Sequence, residues 1–162
     1  MNHGADAVEV GASAPDFGLR DQHNVVVSLS DFHGRAVLLV FYPLAFTGVC
    51  AGELNLIQAD LDVLQNDQVQ VLAVSVDSPY TLRVFSDAEG LKFPLLSDFW
   101  PHGGTAQAYG IFDPEAGVAT RASFLIDRDG VVRWKVLSDL SHPRDHAAYL
   151  EAIATVTGAE GA

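Results

Sequence analysis

The sequence predicts an α/β fold in which a mixed central β-sheet is flanked by helices and preceded by an N-terminal β-hairpin. Three observations predict it. Residues 36–42 (AVLLVFY) and 69–76 (VQVLAVSV) are apolar without alternation, the pattern of strands covered on both faces. Between them Leu54, Ile57, Leu61 and Leu64 recur at spacings of three and four, giving one amphipathic helix over 54–64. Residues 122–126 and 131–137 bracket the polar, Gly-ended turn Asp127-Arg128-Asp129-Gly130, which calls for an antiparallel hairpin.

The remaining elements follow in order. Residues 17–19 and 25–27 flank the turn-forming Asp21-Gln22-His23-Asn24 and read as the first hairpin. The two buried strands and their helix make a right-handed βαβ unit. Ser78 then supplies an N-cap and Pro79 a first helical position, Leu82 and Phe85 share one face, and Gly90 ends the helix. A short strand is expected at 93–96. The closing helix, residues 143–156, is expected to turn Ala147, Leu150, Ile153 and Ala154 inward. Residues 1–10 and 157–162 read as loose ends, and with no repeat or linker inside, the expectation is a single domain spanning residues 1–162.

Composition narrows the function. With 162 residues, 49% hydrophobic and 19% charged, the chain is expected to bury a core without staples. A chain of this length hides roughly 68–70% of its unfolded surface. Nine Lys and Arg against 21 Asp and Glu give a formal charge of −12, which repels nucleic acid and anionic membrane surfaces. The longest uncharged stretch, 36–52, is interrupted by Pro43 and Gly48 and falls short of the ~20 apolar residues of a membrane helix. The first ten residues show no basic start followed by an apolar run, so the expected address is the cytoplasm.

There is one cysteine, Cys50, so no disulfide can form within the chain. A lone cysteine is commonly a small core hydrophobe, and its setting decides whether it is more. Cys50 lies where a buried strand has ended and a helix is starting, facing backbone N–H groups that favour anions. Leu54, Ile57 and Leu61 follow at i+4, i+7 and i+11, which shields the thiol on the buried edge of the helix. Thr47, three residues earlier, brings a hydroxyl within reach of the sulfur or of whatever it attacks. Pro43 fixes the chain where it leaves the strand and can wall the pocket against water. Glu53, at i+3, can orient a distant cation or cap the first turn. Singly, Thr47 reads as an N-cap and Pro43 as a turn former. The combination carries the signal.

The arrangement P-x-x-x-T-x-x-C, here Pro43, Thr47 and Cys50, resembles the peroxidatic motif of the peroxiredoxins. The resemblance extends through GASAPDF (11–17), VLLVF (37–41) and RASFLID (121–127), nearly the whole chain. FPLLSDFWPHG (93–103) looks most like the one-cysteine alkyl hydroperoxide reductase E group. It implies a thioredoxin-like fold and a thiol-dependent peroxidase in which Arg121, remote in sequence, meets Cys50. Tyr42, Phe46 and Trp100 would line the substrate approach or a family-type dimer interface, a core role being the plain alternative. The implied partners are a peroxide, an external thiol reductant (mycothiol with a mycoredoxin, or a thioredoxin-type protein) and a second copy of the chain, as homodimer or higher oligomer. No cofactor or metal is expected.

Chemistry sets how much help the thiol needs. An ordinary thiol is a few per cent thiolate at neutral pH, and full ionisation raises that roughly thirtyfold, about 2 kcal/mol. The rest of the acceleration must come from groups that hold both peroxide oxygens in line. A single cysteine cannot resolve its own sulfenic acid, so another molecule's thiol must. A peroxide sensor that passes Cys50 oxidation to a partner would share every site residue. Other readings are weaker. His142 and His146 lie four apart but have no third metal ligand, Gly103-Gly104 reads as a loop, and His102 as the base of a hydrolase would need the fold to bring it to Cys50.

Overall fold

A computed structural model describes residues 7–157. Of the expected loose ends at 1–10 and 157–162, residues 1–6 and 158–162 lie outside the described residues, whereas 7–10 are tied down: Ala7 is buried and Val8 N–H donates to Tyr109 O at 3.1 Å. Strands β1 (Gly18–Arg20) and β2 (Val26–Ser28) form the N-terminal hairpin, one residue later than the sequence suggests. Next come β3 (Ala36–Phe41), α1 (Gly48–Ala59), α2 (Leu61–Leu64), β4 (Val69–Ser75), α3 (Pro79–Glu89) and β5 (Leu95–Ser97). Then follow α4 (Gly104–Ala108), the ribbon β6 (Phe112–Asp113) with β7 (Val118–Ala119), β8 (Arg121–Ile126), β9 (Val132–Ser138) and α5 (His146–Val156).

The main sheet has the order β2-β1-β5-β4-β3-β8-β9. Strands β3, β4 and β5 run parallel, while β8 pairs antiparallel with β3, and β9 with β8. All residues of β3, β4 and β8 are buried, which is why β3 and β4 read as unbroken apolar runs. Alternation along β3 divides the core. Leu38, Val40 and Tyr42 face the layer that holds Cys50, Leu54, Ile57, Phe85 and Ile153. Leu39 and Phe41 face Tyr109, Ile111 and Phe124 on the other side. Each such side chain, fully buried, contributes about 1.5–3 kcal/mol.

Helix α3 forms as its sequence dictates, with Ser78 Oγ accepting from Thr81 N–H, Pro79 in the first turn and Gly90 closing the helix at φ +66°. Two helices depart from expectation. The single helix over 54–64 begins earlier, at Gly48, and breaks at Asp60, whose φ of −107° and ψ of 22° leave the helical region. The break swings Leu64 into the core, and the Asp60 carboxylate takes up His146 Nε2 at 2.7 Å. In α5 the buried residues are Tyr149, Ala152 and Ile153, whereas Ala147, Leu150 and Ala154 are exposed. Tyr149 decides the phase. Its hydroxyl bonds Ser123 Oγ at 2.8 Å and its ring packs edge-on against Trp134, so its polar tip is satisfied where its body is buried.

Helix α4 and the β6–β7 ribbon were not anticipated. The buried Asp98 carboxylate accepts Thr105 and Ala106 N–H at 2.9 Å and starts the helix, so Gly103-Gly104 is a helix entry rather than a plain loop. Gly103 sits at φ +68°, and a β-carbon there would collide with the Phe112 ring.

Candidate active site

Strands β3, β4 and β5 are parallel neighbours, so their outgoing loops emerge at one edge of the sheet. Because β8 runs antiparallel to β3, with Phe41 opposite Ala122, the first residue of β8 stands at that same edge. This register brings Arg121 to Cys50.

Cys50 is the third residue of α1 and has no exposed surface. Arg121 Nη1 lies 3.2 Å from its sulfur. The same nitrogen donates to Glu53 Oε1 at 2.7 Å, and Arg121 Nε donates to Leu140 O at 3.0 Å. Glu53 is buried one turn below the thiol and pairs with two guanidiniums, those of Arg121 and Arg144. Arg144, just before α5, donates to Glu53 Oε2 from both its backbone N–H (2.7 Å) and Nε (2.9 Å), and to Oε1 from Nη2 (2.8 Å). Its remaining nitrogen, Nη1, donates to Phe41 O, Ala122 O and Ser123 Oγ. Burial acts to raise the Glu53 carboxyl, but the hydrogen bonds and charge of Arg144 and the charge of Arg121 hold it below the usual carboxylate range.

The electrostatics of this set are one-sided while the sulfur is protonated, with two buried guanidiniums facing one carboxylate. A thiolate at Cys50 makes the set neutral.

The loop before Cys50 is pinned at several points. Pro43 is buried directly after Tyr42. Ala45 N–H donates to Asp77 Oδ2 at 2.8 Å, and Ser75 Oγ donates to the same oxygen at 2.7 Å, joining the outgoing ends of β3 and β4. Phe46 adopts φ +67°, a left-handed conformation costly for a bulky residue, and its ring packs 5.0 Å from that of Phe85. Thr47 is the N-cap of α1, and its hydroxyl donates to Leu44 O at 2.9 Å rather than to the sulfur.

Three aromatic candidates separate. Tyr42 is wholly buried in the core. Phe46 (55% exposed) and Trp100 (81%) are exposed, as are Leu44, Tyr80 and Phe99; Leu44, Phe46, Phe99 and Trp100 lie in the loops after β3 and β5 and Tyr80 in the first turn of α3, all following strands that end at the same sheet edge. His102 is held on Gly117 O at 2.6 Å and meets the Phe112 ring edge-on, without contact to Cys50. His142 bonds Asp139 and His146 bonds Asp60, and the described residues contain no cluster suited to a metal ion.

Sequence reasoning missed Arg144 and Asp77. Nothing local marks Arg144, whose partner Glu53 is 91 residues away. Asp77 carried a usable signal, because it stands just past the carboxyl end of a buried parallel strand, where sites gather in α/β sheets.

Comparison with known proteins shows the family and the fold. A family model described as the AhpC/TSA family matches residues 10–135. The fold is thioredoxin-like. A crystal structure of reduced 2-Cys peroxiredoxin from Plasmodium vivax superposes with a TM-score of 0.82 at 31% identity, covering 94% of this chain and 84% of that one. The chain belongs to the AhpC/TSA family: it is a peroxiredoxin, a thiol-dependent peroxidase. Within the family it is similar to the alkyl hydroperoxide reductase E of Mycobacterium tuberculosis (strain ATCC 25618 / H37Rv), 46% identical over 151 residues that cover 93% of this chain and 99% of that protein. The selenocysteine-containing peroxiredoxin PrxU of Peptoclostridium acidaminophilum is 40% identical over 136 residues, covering 78% of this chain and 66% of that protein.

Proposed function

We propose that Cys50 is the nucleophile of a one-cysteine cycle that reduces hydrogen peroxide and organic hydroperoxides, with Arg121 and Thr47 as its partners at the reacting oxygens. The observation that carries the reading is the buried charge set that reaches neutrality with a thiolate sulfur 3.2 Å from Arg121 Nη1. The thiolate attacks the terminal peroxide oxygen, an S–O bond forms as the O–O bond breaks, and the electron pair leaves on the second oxygen, which takes a proton to become water or an alcohol. Sulfur is oxidised by two electrons and the peroxide reduced by two. Arg121 holds charge building on the departing oxygen, a role worth about 10²–10³ in rate for one well-placed donor. Thr47 reaches the peroxide by turning its hydroxyl away from Leu44 O, and Pro43 keeps water out.

Glu53 positions Arg121, and Arg144 positions Glu53. Resolution of the sulfenic acid falls to an external thiol, mycothiol with a mycoredoxin or a thioredoxin-type protein, which suits a single domain working in the reducing cytoplasm. Among the described residues no helix is long and apolar enough to cross a membrane. The rim of Leu44, Phe46, Tyr80, Phe99 and Trp100 is the face by which a second copy would pair.

One equivalent of peroxide should add one oxygen to Cys50, read by mass spectrometry, and an unmodified Cys50 overturns the reading. With excess thiol reductant the protein should turn over repeatedly, and Cys50→Ser should abolish consumption. A protein that oxidises once and stops in every reductant is a sensor instead.

A further inference from the structure

The peptide unit between Leu44 and Ala45 is gripped from both sides. Its N–H donates to Asp77 Oδ2 at 2.8 Å, and its carbonyl, Leu44 O, accepts the Thr47 hydroxyl at 2.9 Å. The unit is trans, so its N–H and C=O lie in one plane and point in opposite directions, and fixing the one fixes the other. Ala45 is also the one buried residue between Pro43 and Cys50, with Leu44, Phe46 and Thr47 exposed around it. The loop is anchored to the body here.

The anchor is itself held. Asp77 Oδ2 takes a second proton from Ser75 Oγ at 2.7 Å, Asp77 N–H donates back to Ser75 Oγ at 3.3 Å, and Asp77 O accepts Ser97 Oγ at 2.7 Å. Asp77 is thus tied to the ends of β4 and β5 before it reaches across to the loop after β3. That loop needs holding, because Phe46, between the pinned Ala45 and Thr47, is the only bulky residue in the left-handed region among the described residues. Such a conformation persists where its surroundings impose it.

We propose that Asp77 is a positioning residue for the peroxide reaction, acting through the Leu44–Ala45 peptide unit to place the Thr47 hydroxyl. The proposal rests on the reading above, in which Cys50 is the nucleophile and Thr47 its partner. A carboxylate on the N–H also polarises the unit, so that its carbonyl becomes the stronger acceptor. Without that carboxylate Ala45 N–H loses its acceptor, Phe46 is free to relax to negative φ, and Leu44 O no longer stands where Thr47 meets it. Misplacing a reacting partner by about 1 Å costs up to roughly 10²-fold in rate.

Stopped-flow mixing with hydrogen peroxide, read as oxygen added to Cys50, tests this on protein shown to be folded by circular dichroism. Asp77→Ala should slow oxidation about tenfold, the loss of one hydrogen bond to a charged group. Asp77→Asn, whose amide oxygen still accepts from Ala45 N–H, should recover most of that loss. In a Thr47→Val background Asp77→Ala should slow oxidation by less than about threefold, because the hydroxyl it places is gone. An unchanged rate in Asp77→Ala overturns the proposal. So does a loss of full size in the Thr47→Val background, which would mean that Asp77 does not act through Thr47, and so does Asp77→Asn as slow as Asp77→Ala, which would mean that charge and not the hydrogen bond matters. Where Asp77→Ala fails to fold, Asp77→Ser is judged by the same comparisons, since its side chain is one bond too short to hold Ala45 N–H. A wild type that gains no oxygen defeats the reading above, whereas a wild type that gains one no faster than Asp77→Ala defeats only the role of Asp77.

Discussion

Two arginine–carboxylate contacts in this molecule have the same length. Arg121 meets Glu53 at 2.7 Å, and Arg133 meets Asp127 at 2.7 Å. The first pair is 3% and 7% exposed at its side chains, the second 51% and 14%. Distance therefore says little about what either contact does. Around Arg121 the carboxylate is shared with a second guanidinium and the thiol, and removing one member leaves uncompensated charge out of water. Around Arg133 water takes the place of any partner removed. The difference teaches that the reactive site is also where the fold is least tolerant of losing a charge.

The largest effect is expected for Glu53→Ala, which strands two buried guanidiniums and should cost about 3–5 kcal/mol in denaturant unfolding. A loss below 1 kcal/mol would erase the distinction between the pairs. Arg121→Ala should slow oxidation of Cys50 by roughly 10²-fold in stopped-flow measurements while the fold persists. Arg121→Lys should recover little of it, since an ammonium cannot reach Leu140 O, Glu53 and the sulfur together.

Acidification sharpens the contrast further. The folded-state value of Glu53 lies below its ordinary 4.5, so its stabilisation is fully present above that pH and is lost as pH falls through the folded-state value. Urea midpoints should decline in this window for the wild type, and Glu53→Gln should flatten the decline. At the small end, Arg133→Ala should change stability by less than about 1 kcal/mol, and 1 M salt should remove most of that.

Legibility in the sequence follows the range of the interactions. Strands β3 and β4 were readable because double-sided burial writes itself as an apolar run. Cys50, Pro43 and Thr47 were readable because they lie within one turn and a loop of each other. Arg121 came through resemblance, because no spacing rule pairs residues 71 apart. Arg144 was invisible for the same reason. The break at Asp60 and the phase of α5 failed for another, since both are settled by side chains on different elements, His146 and Ser123, that periodicity within one helix does not sense. The exposure of Trp100 beside the burial of Tyr42 likewise depends on which loop each residue occupies, not on its type.

The order in which the site's parts appear along the chain has a consequence for synthesis. Cys50 leaves the ribosome well ahead of Arg121 and Arg144, and at 5–20 residues per second the gap to Arg144 is on the order of 5–20 s. A nascent chain thus carries a thiol with neither of its guanidiniums. On the proposed mechanism, fast reaction with peroxide waits until β8 has paired with β3 and the segment before α5 has docked.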